Sequence, residues 1–234
     1  MESNFKDNLK NNGYAVIDIE NINILNDLRS TLIKKLNIAQ DIESIEDVRE
    51  EIAKMSKSEV NKSMIDLLKQ SNLSEMMIEA FPSLVKQLCG NELFIQRRAT
   101  VVMNLPGEGQ AKQWPHYELM SGISPFTYVI WVPLHDLEKN SGVYYLKLEK
   151  SLEIMKKEEE EGLVNGPTVL NLINEGSPLP LKYGQGVVFN PFVLHGNIKF
   201  SSKLARIACT VRFQSCSKPL LQKNSDYLKY YKLN

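Results

Sequence analysis

The segment from Trp114 to Glu118 reads WPHYE and places a histidine two residues before a glutamate. On a strand, side chains two residues apart point to the same face, so His116 and Glu118 would present an imidazole and a carboxylate to one point. Such a pair supplies two ligands for a divalent metal. By itself the pair is weak evidence, because a chain with 28 acidic residues forms such pairs by chance.

His195 and Arg206, which come later in the chain, strengthen the hypothesis of a metal site. His195 follows the apolar run VVFNPFVL and directly precedes Gly196, at the predicted end of a strand. Two histidines and one carboxylate form the facial triad of non-haem Fe(II) oxygenases. Arg206 lies in an otherwise apolar strand, and a buried arginine needs an anion, for which its planar fork suits a carboxylate. The residues together predict a metal site beside a site for a dicarboxylate cosubstrate.

The elements that must position these residues change their period near Gly90. Before it, apolar residues recur at helical spacing over about residues 22–37, and further helices are predicted over 42–52, over 60–68 and from Pro82 to Gly90. After it, the pattern alternates with a period of two. The polar face of the last long strand comprises Arg206, Ala208, Thr210, Arg212 and Gln214. Its apolar face comprises Ile207, Cys209, Val211 and Phe213.

One polar and one apolar face predict a barrel with a polar interior and helices on its outside. We therefore expect a mainly β protein with α-helices, built on a double-stranded β-helix (jelly-roll, cupin-like) core flanked by N-terminal helices. Residues 1–234 are predicted to form a single domain, in which residues 1–90 are mostly helical and residues 91–216 form the jelly-roll core. The charged segment 147–176 is predicted to interrupt the core as a helical insertion, with a solvated face or the role of a lid.

Composition argues against several classes of partner. The formal net charge is zero and there is no polybasic block, so neither nucleic acid nor a membrane surface is an expected partner. No apolar run reaches the roughly 20 residues of a membrane span, and the first residues lack a secretory signal. Cys89, Cys209 and Cys216 fit no zinc motif and are expected to be reduced thiols. These features predict a cytoplasmic protein that acts on a small molecule, and they leave its oligomeric state open.

The chain resembles the phytanoyl-CoA dioxygenase-like family of Fe(II)/2-oxoglutarate-dependent oxygenases. The resemblance spans nearly the whole chain and rests on four segments: NNGYAVIDIENINILNDLRSTLIKKL, WPHYE, VIWVPLHDLEKNSGVYYL and YGQGVVFNPFVLHGN followed by Arg206. It implies that His116, Glu118 and His195 bind iron and that Arg206 binds the distal carboxylate of 2-oxoglutarate. Oxygen (O2) would be the second cosubstrate.

Other polar residues are assigned to the same pocket. Asn197 stands where the family often has a small hydroxyl residue beside the distal carboxylate. Strand alternation places Gln96, Arg98 and Asn104 on the inner face, where Gln96 and Asn104 would contact 2-oxoglutarate and Arg98 the substrate. Trp114 is close enough to His116 to line the substrate pocket. Arg212 either binds an anionic substrate group or is a salt-bridged barrel residue, and His135 is predicted to be structural.

The sequence departs from the family at two points. Glutamate replaces the usual aspartate at position 118, and LKLEKSLE stands where the family has a PGSH-like segment. The retained carboxylate argues against halogenation, because halogenating relatives leave that position open for the halide.

The implied function is hydroxylation of a C–H bond of a small molecule. The segment SGISPFTYVIWVPLHD resembles a bacterial subgroup associated with surface-carbohydrate biosynthesis, which favours a sugar-linked metabolite. Two alternatives stay open at this point. One is a metal-dependent jelly-roll isomerase or lyase, in which Arg206 would have no cosubstrate to bind. The other is a non-catalytic jelly-roll binding module, which would have no need of an intact triad.

Overall fold

The computed structural model describes residues 5–36, 44–69, 72–107, 115–138, 141–162, 175–197, 202–221 and 227–233. The helices are α1 (Phe5–Asn12), α2 (Ile22–Leu36), α3 (Ile45–Lys54), α4 (Lys57–Lys69), α5 (Leu73–Glu79), α6 (Pro82–Cys89) and α7 (Leu148–Glu160), with a 3-10 helix at Glu118–Ser121. The strands are β1 (Tyr14–Asp18), β2 (Glu92–Gln96), β3 (Thr100–Asn104), β4 (Tyr128–Pro133), β5 (Val143–Tyr145), β6 (Ser177–Pro178), β7 (Gln185–Phe189), β8 (His195–Asn197), β9 (Arg206–Ser215) and β10 (Leu228–Lys232).

The predicted helices of the N-terminal region are present. The leucines at 25, 28 and 32 line one side of α2 and are buried, as their spacing predicts. Helix α6 begins at Pro82 and ends before Gly90, whose φ of 78° favours glycine. The short helices α1 and α5 have no counterpart among the predicted helices. No helix in the described ranges is both long enough and apolar enough to cross a bilayer.

The larger of two sheets carries the strand order β1-β7-β4-β9-β2-β10, and β3 pairs with the same edge of β9 as β2 does. The pairings are antiparallel. Because β1 pairs with β7, the N-terminal region contributes a strand to the core sheet. The smaller sheet has the order β6-β5-β8.

The alternation predicted for β9 is confirmed. Ile207, Cys209, Val211 and Phe213 pack in the core that includes the N-terminal helices. On the other face, Ala208 packs in a second cluster to which both sheets contribute, with Trp131 from β4 and Val143 from β5. Two facing sheets with helices outside form the jelly-roll that the sequence predicts.

Residues 94–104 do not form one strand, as the alternation suggested, but two. Ile95 pairs with Phe213 and Thr100 pairs with Thr210, so residues 96–99 stand opposite only residues 211–212 of β9. This irregularity adds an even number of residues, and Gln96 and Asn104 therefore keep the inner face. Arg98 lies in the bend and is exposed, which removes it from the inner face where it was predicted.

Helix α7 is more than a solvated insertion. Its outer side carries ion pairs such as Lys156 with Glu160, but Ser151 and Ile154 on its other side are buried. Ser151 Oγ accepts a hydrogen bond from the backbone N–H of Leu194 at 3.0 Å, and its carbonyl accepts one from the Tyr117 hydroxyl at 3.1 Å. The helix therefore packs on the outer side of the small sheet. Residues 163–174 of the predicted insertion lie outside the described residues.

His135 has a structural role, as predicted. Its Nε2 accepts a hydrogen bond from the backbone N–H of Ile207 at 3.1 Å, so Nδ1 carries the proton and donates to the Asp136 carbonyl at 2.7 Å. The ring is buried and links the end of β4 to the start of β9. Burial and the nearby charge of Arg49 lower the pKa of His135 to about 4.

This lowered pKa makes the folded state sensitive to acid. An unfolded histidine titrates near pH 6.5, so the stability contributed by neutral His135 is complete above about pH 6.5 and is lost as the pH falls towards 4. His135→Gln keeps a hydrogen-bond acceptor and removes the titrating group. Over that pH range we expect the free energy of unfolding of this variant to fall by about 3 kcal/mol less than that of the wild type. Urea unfolding at a series of pH values measures this difference, and parallel curves for the two proteins would contradict it.

Candidate metal centre

The two histidines are direct neighbours across an antiparallel bridge. The N–H of His116 donates to the His195 carbonyl at 2.9 Å, and the N–H of His195 donates to the His116 carbonyl at 3.2 Å. Paired residues in such a bridge direct their side chains to the same face. The ring centroids are 4.3 Å apart. Gly196 permits this approach, because a Cβ there would lie 3.1 Å from the Cα of Pro115.

Glu118 was predicted to lie on a strand. It is instead the first residue of a 3-10 helix, and its side chain reaches the same point from there. The intervening Tyr117 has an extended backbone, with φ of −100° and ψ of 143°, and therefore turns its side chain away from its two neighbours. Its ring packs with Ile154 of α7 on the outer side of the small sheet. Because Tyr117 alone is extended, the side chains of His116 and Glu118 still point to the same side, as they would on a strand.

The structure brings His116, Glu118 and His195 together, with ligand atoms that all lie within 4.8 Å of one another. Nδ1 of His195 bonds with the Val193 carbonyl at 3.0 Å, which leaves Nε2 facing Glu118 Oε1 at 3.6 Å. Ligands about 2.1 Å from a metal and at right angles to each other are about 3 Å apart, so a small adjustment admits an ion. Two imidazoles and a carboxylate match the donor set of non-haem iron.

Arg212 holds the other carboxylate oxygen of Glu118. Its Nε donates to Oε2 at 2.7 Å and its Nη2 lies 2.5 Å from the same oxygen. Burial alone would raise the pKa of Glu118, but the charge of Arg212 and the hydrogen bond with His195 hold it well below its usual range. Glu118 is therefore an anion with Oε1 directed at the histidines.

Arg212 is thus a salt-bridged barrel residue, which was one of its two predicted roles. Gln96 supports it, because Gln96 Oε1 accepts hydrogen bonds from the backbone N–H of Arg212 at 3.2 Å and from its Nη1 at 3.3 Å. Gln96 therefore supports Arg212 beside the metal ligands, and its predicted contact with 2-oxoglutarate stays a prediction. Tyr227, which no pattern in the sequence pointed to, also bonds to Arg212.

Arg206 forms a second pole on the same inner face. Its Nη2 donates to Asn104 Oδ1 at 2.6 Å and to Asn197 Oδ1 at 2.5 Å, and its Nη1 donates to the Ser141 carbonyl at 2.8 Å. The guanidinium carbon lies 5.7 Å from the Trp131 ring centroid. Burial lowers the pKa of Arg206 to about 10, so the group is still charged at neutral pH. Asn104 and Asn197 therefore position the arginine whose anion-binding role was predicted.

One predicted substrate residue does not join this arrangement. Arg98 is exposed in the bend between β2 and β3. Trp114, with the rest of 108–114, lies outside the described residues. In contrast, Tyr145 lies beside His195 with its ring centroid 5.7 Å away, and no prediction from the sequence included it. Only the register of β5 against β8 could have identified it.

The fold and the site define a jelly-roll domain with a His-Glu-His cluster suited to a metal ion. No protein-family model matches the chain, and no curated protein matches it. Solved structures do share its fold. HygX from Streptomyces hygroscopicus, with nickel and 2-oxoglutarate bound, superposes with a TM-score of 0.56 and 11% identity over 92% of this chain and 88% of its own.

Two further structures have the same architecture. EctD from S. alaskensis with bound Fe gives a TM-score of 0.54 and 14% identity over 94% of this chain and 79% of its own. The non-heme monooxygenase ThoJ, in its apo form, gives 0.52 and 12% over 96% and 85%. At these identities the similarity establishes the shared jelly-roll fold. Membership of the phytanoyl-CoA dioxygenase-like family stays a prediction.

The hold of Arg212 on Glu118 predicts an effect on metal affinity. Arg212→Lys keeps the positive charge but loses the fork on Oε2, so Glu118 is less firmly oriented. We expect Ni(II) to bind about tenfold more weakly, within the range seen when residues that orient metal ligands are replaced. Isothermal titration calorimetry measures this affinity. The matched control is Arg98→Lys at the exposed bend, and equal affinities for the two variants would contradict the assigned role.

Proposed function

We propose that the protein is an Fe(II)- and 2-oxoglutarate-dependent dioxygenase that hydroxylates a C–H bond of a small molecule. One observation carries the proposal. A cluster of two histidines and one carboxylate shares the inner face of the barrel with a buried arginine. In an isomerase or lyase without a dicarboxylate cosubstrate, that arginine would have no ligand to bind. In a binding module without catalysis, the three metal-ligand side chains would have no function.

The spacing of the two poles suits a short dicarboxylate. His195 and Asn197 stand two residues apart on β8, a rise of about 7 Å along the strand. His195 belongs to the His-Glu-His cluster, and Asn197 accepts a hydrogen bond from Arg206. A 2-oxo dicarboxylic acid that chelates a metal through its oxo end would direct its distal carboxylate towards the arginine, whose fork suits that group.

When bound, iron and 2-oxoglutarate supply the oxidising power that inserts an atom of O2 into a C–H bond. The chain's residues supply the geometry. His116, Glu118 and His195 would hold the ion on one side and leave its other side open. Arg206 would orient the cosubstrate, and Arg212 would keep the Glu118 carboxylate from turning. Fixed polar groups of this kind lower the cost of reorganisation during the reaction.

The structural neighbours support the proposal. HygX was solved with 2-oxoglutarate and nickel, and EctD with iron. ThoJ is described as a non-heme monooxygenase. The sugar-linked substrate rests on the resemblance of the segment 121–136 alone. The lid role predicted for the segment 147–176 stays a hypothesis, and helix α7 within that segment packs against the small sheet.

The proposal predicts a spectroscopic signature. Anaerobic addition of Fe(II) and then 2-oxoglutarate to the purified protein should give a weak metal-to-ligand charge-transfer band in the visible. His116→Ala should abolish the band, because it removes a predicted ligand. Arg206→Ala should shift the 2-oxoglutarate titration to at least tenfold higher concentration, because a charge-assisted bidentate contact is lost.

Arg98→Ala is the matched control and should titrate as the wild type does. Thermal melts of all variants show whether a lost band reflects a lost fold. If iron binds to the wild type and no band forms with 2-oxoglutarate, the cosubstrate is wrong and the isomerase or lyase becomes the better explanation. If no metal binds, the jelly-roll is a binding module.

A further inference from the structure

Tyr145 lies on the inner face of the small sheet, directly opposite His195. The register of β5 against β8 pairs the two residues, and their rings are nearly parallel, with 15° between planes. Tyr14 and Phe189 also contact the tyrosine ring, with centroids at 5.2 and 5.3 Å. The ring therefore has a fixed position beside the metal cluster.

The hydroxyl of this tyrosine is buried, and among the residues that the structure describes it has no hydrogen-bond partner. A buried hydroxyl without a partner costs free energy, so such groups in native proteins generally have a role or a ligand. A tyrosine hydroxyl carries a proton, so it can donate a hydrogen bond to an anion bound beside it.

The strand register places Tyr145 along the path between the His-Glu-His cluster and Arg206. Arg206 is anchored to Ser141 and Asn197, at the level of Val143 in the β5–β8 pair. Tyr145 is the next residue of β5 on that face. A molecule that extends from the metal cluster to Arg206 therefore passes the tyrosine ring.

We propose that the Tyr145 hydroxyl donates a hydrogen bond to the distal carboxylate of the cosubstrate that Arg206 binds, and so positions it. The inference rests on the proposed function, since it needs a dicarboxylate between the two poles. It gives Tyr145 the role of a positioning residue for the cosubstrate and leaves metal binding to His116, Glu118 and His195.

The neighbouring tyrosine provides a matched control. Tyr144 is also buried and its hydroxyl likewise has no partner in the described ranges. It points to the opposite side of the strand, where it packs with Ile154 and Leu194 in the cluster that α7 covers. Tyr144→Phe and Tyr145→Phe therefore remove the same atom from opposite faces of one strand.

The test is anaerobic titration of the Fe(II)-loaded wild type and both variants, read from the charge-transfer band. Each is titrated with 2-oxoglutarate and, separately, with pyruvate, a 2-oxo acid that lacks the distal carboxylate. For Tyr145→Phe we expect the Kd for 2-oxoglutarate to rise about tenfold, which is typical of a lost hydrogen bond to a charged group, and the Kd for pyruvate to stay unchanged. Tyr144→Phe should leave both unchanged.

Several results would overturn the inference. If Tyr145→Phe binds 2-oxoglutarate as tightly as the wild type does, the proposed hydrogen bond is ruled out and the proposed function is unaffected. Equal weakening in both variants assigns the effect to packing. A parallel loss for pyruvate, or a changed affinity for Ni(II) alone, places the hydroxyl at the metal. If the wild type forms no band with 2-oxoglutarate, the proposed function fails first and the inference fails with it.

Discussion

The ion pair between Glu118 and Arg212 is the interaction on which the interior of this barrel depends. Glu118 is 3% exposed, and a carboxylate at such depth must be paired or lose its charge. Removing one partner of a buried pair costs about 3–5 kcal/mol, because the other charge is left behind. The pair is also directional. Arg212 occupies one carboxylate oxygen with two donors, and the free oxygen faces His195. The irregular edge of β9 serves this arrangement, since Gln96 accepts from the backbone N–H of Arg212 where the strand ladder is interrupted.

The short strand β8 carries residues of both parts of the site, the His-Glu-His cluster and the surroundings of Arg206. His195 pairs with His116 on one side and with Tyr145 on the other, so a single residue aligns two side chains across hydrogen-bonded backbone. Two residues later, Asn197 accepts from Arg206. The distance between the poles is therefore set by the pleat of one strand and not by the conformation of a loop. A site built on strands holds its spacing when surface segments change, which is the precision that oriented ligand binding needs.

The sequence predicted those features of this structure that are encoded in local periodicity. The alternation in β9 placed Arg206 and Arg212 on the inner face. Helical spacing located α2, and Pro82 and Gly90 marked the ends of α6. Pairings between distant segments were not accessible in the same way. Arg98 was misplaced because the alternation does not show where a strand bends, and the bend at 97–99 preserves the phase on both sides of it. Tyr145 was missed because VYYL alternates without showing which tyrosine faces the histidine. The partner of Arg212 was left open because Glu118 is 94 residues away.

Glu118 and helix α7 are linked through the backbone beside the two histidines. A glutamate has one more rotatable bond than an aspartate, so its carboxylate needs more restraint from its surroundings. Arg212 restrains the carboxylate itself, and Tyr117 restrains the backbone that precedes it. The Tyr117 hydroxyl donates to the carbonyl of Ser151 in α7, while Ser151 Oγ accepts from the N–H of Leu194. One buried serine of the helix thus fixes the residues next to three ligands, His116, Glu118 and His195. The charged helix that looks like an insertion in the sequence therefore buttresses the metal cluster from outside the barrel, and its solvated face is only the outer half of its role.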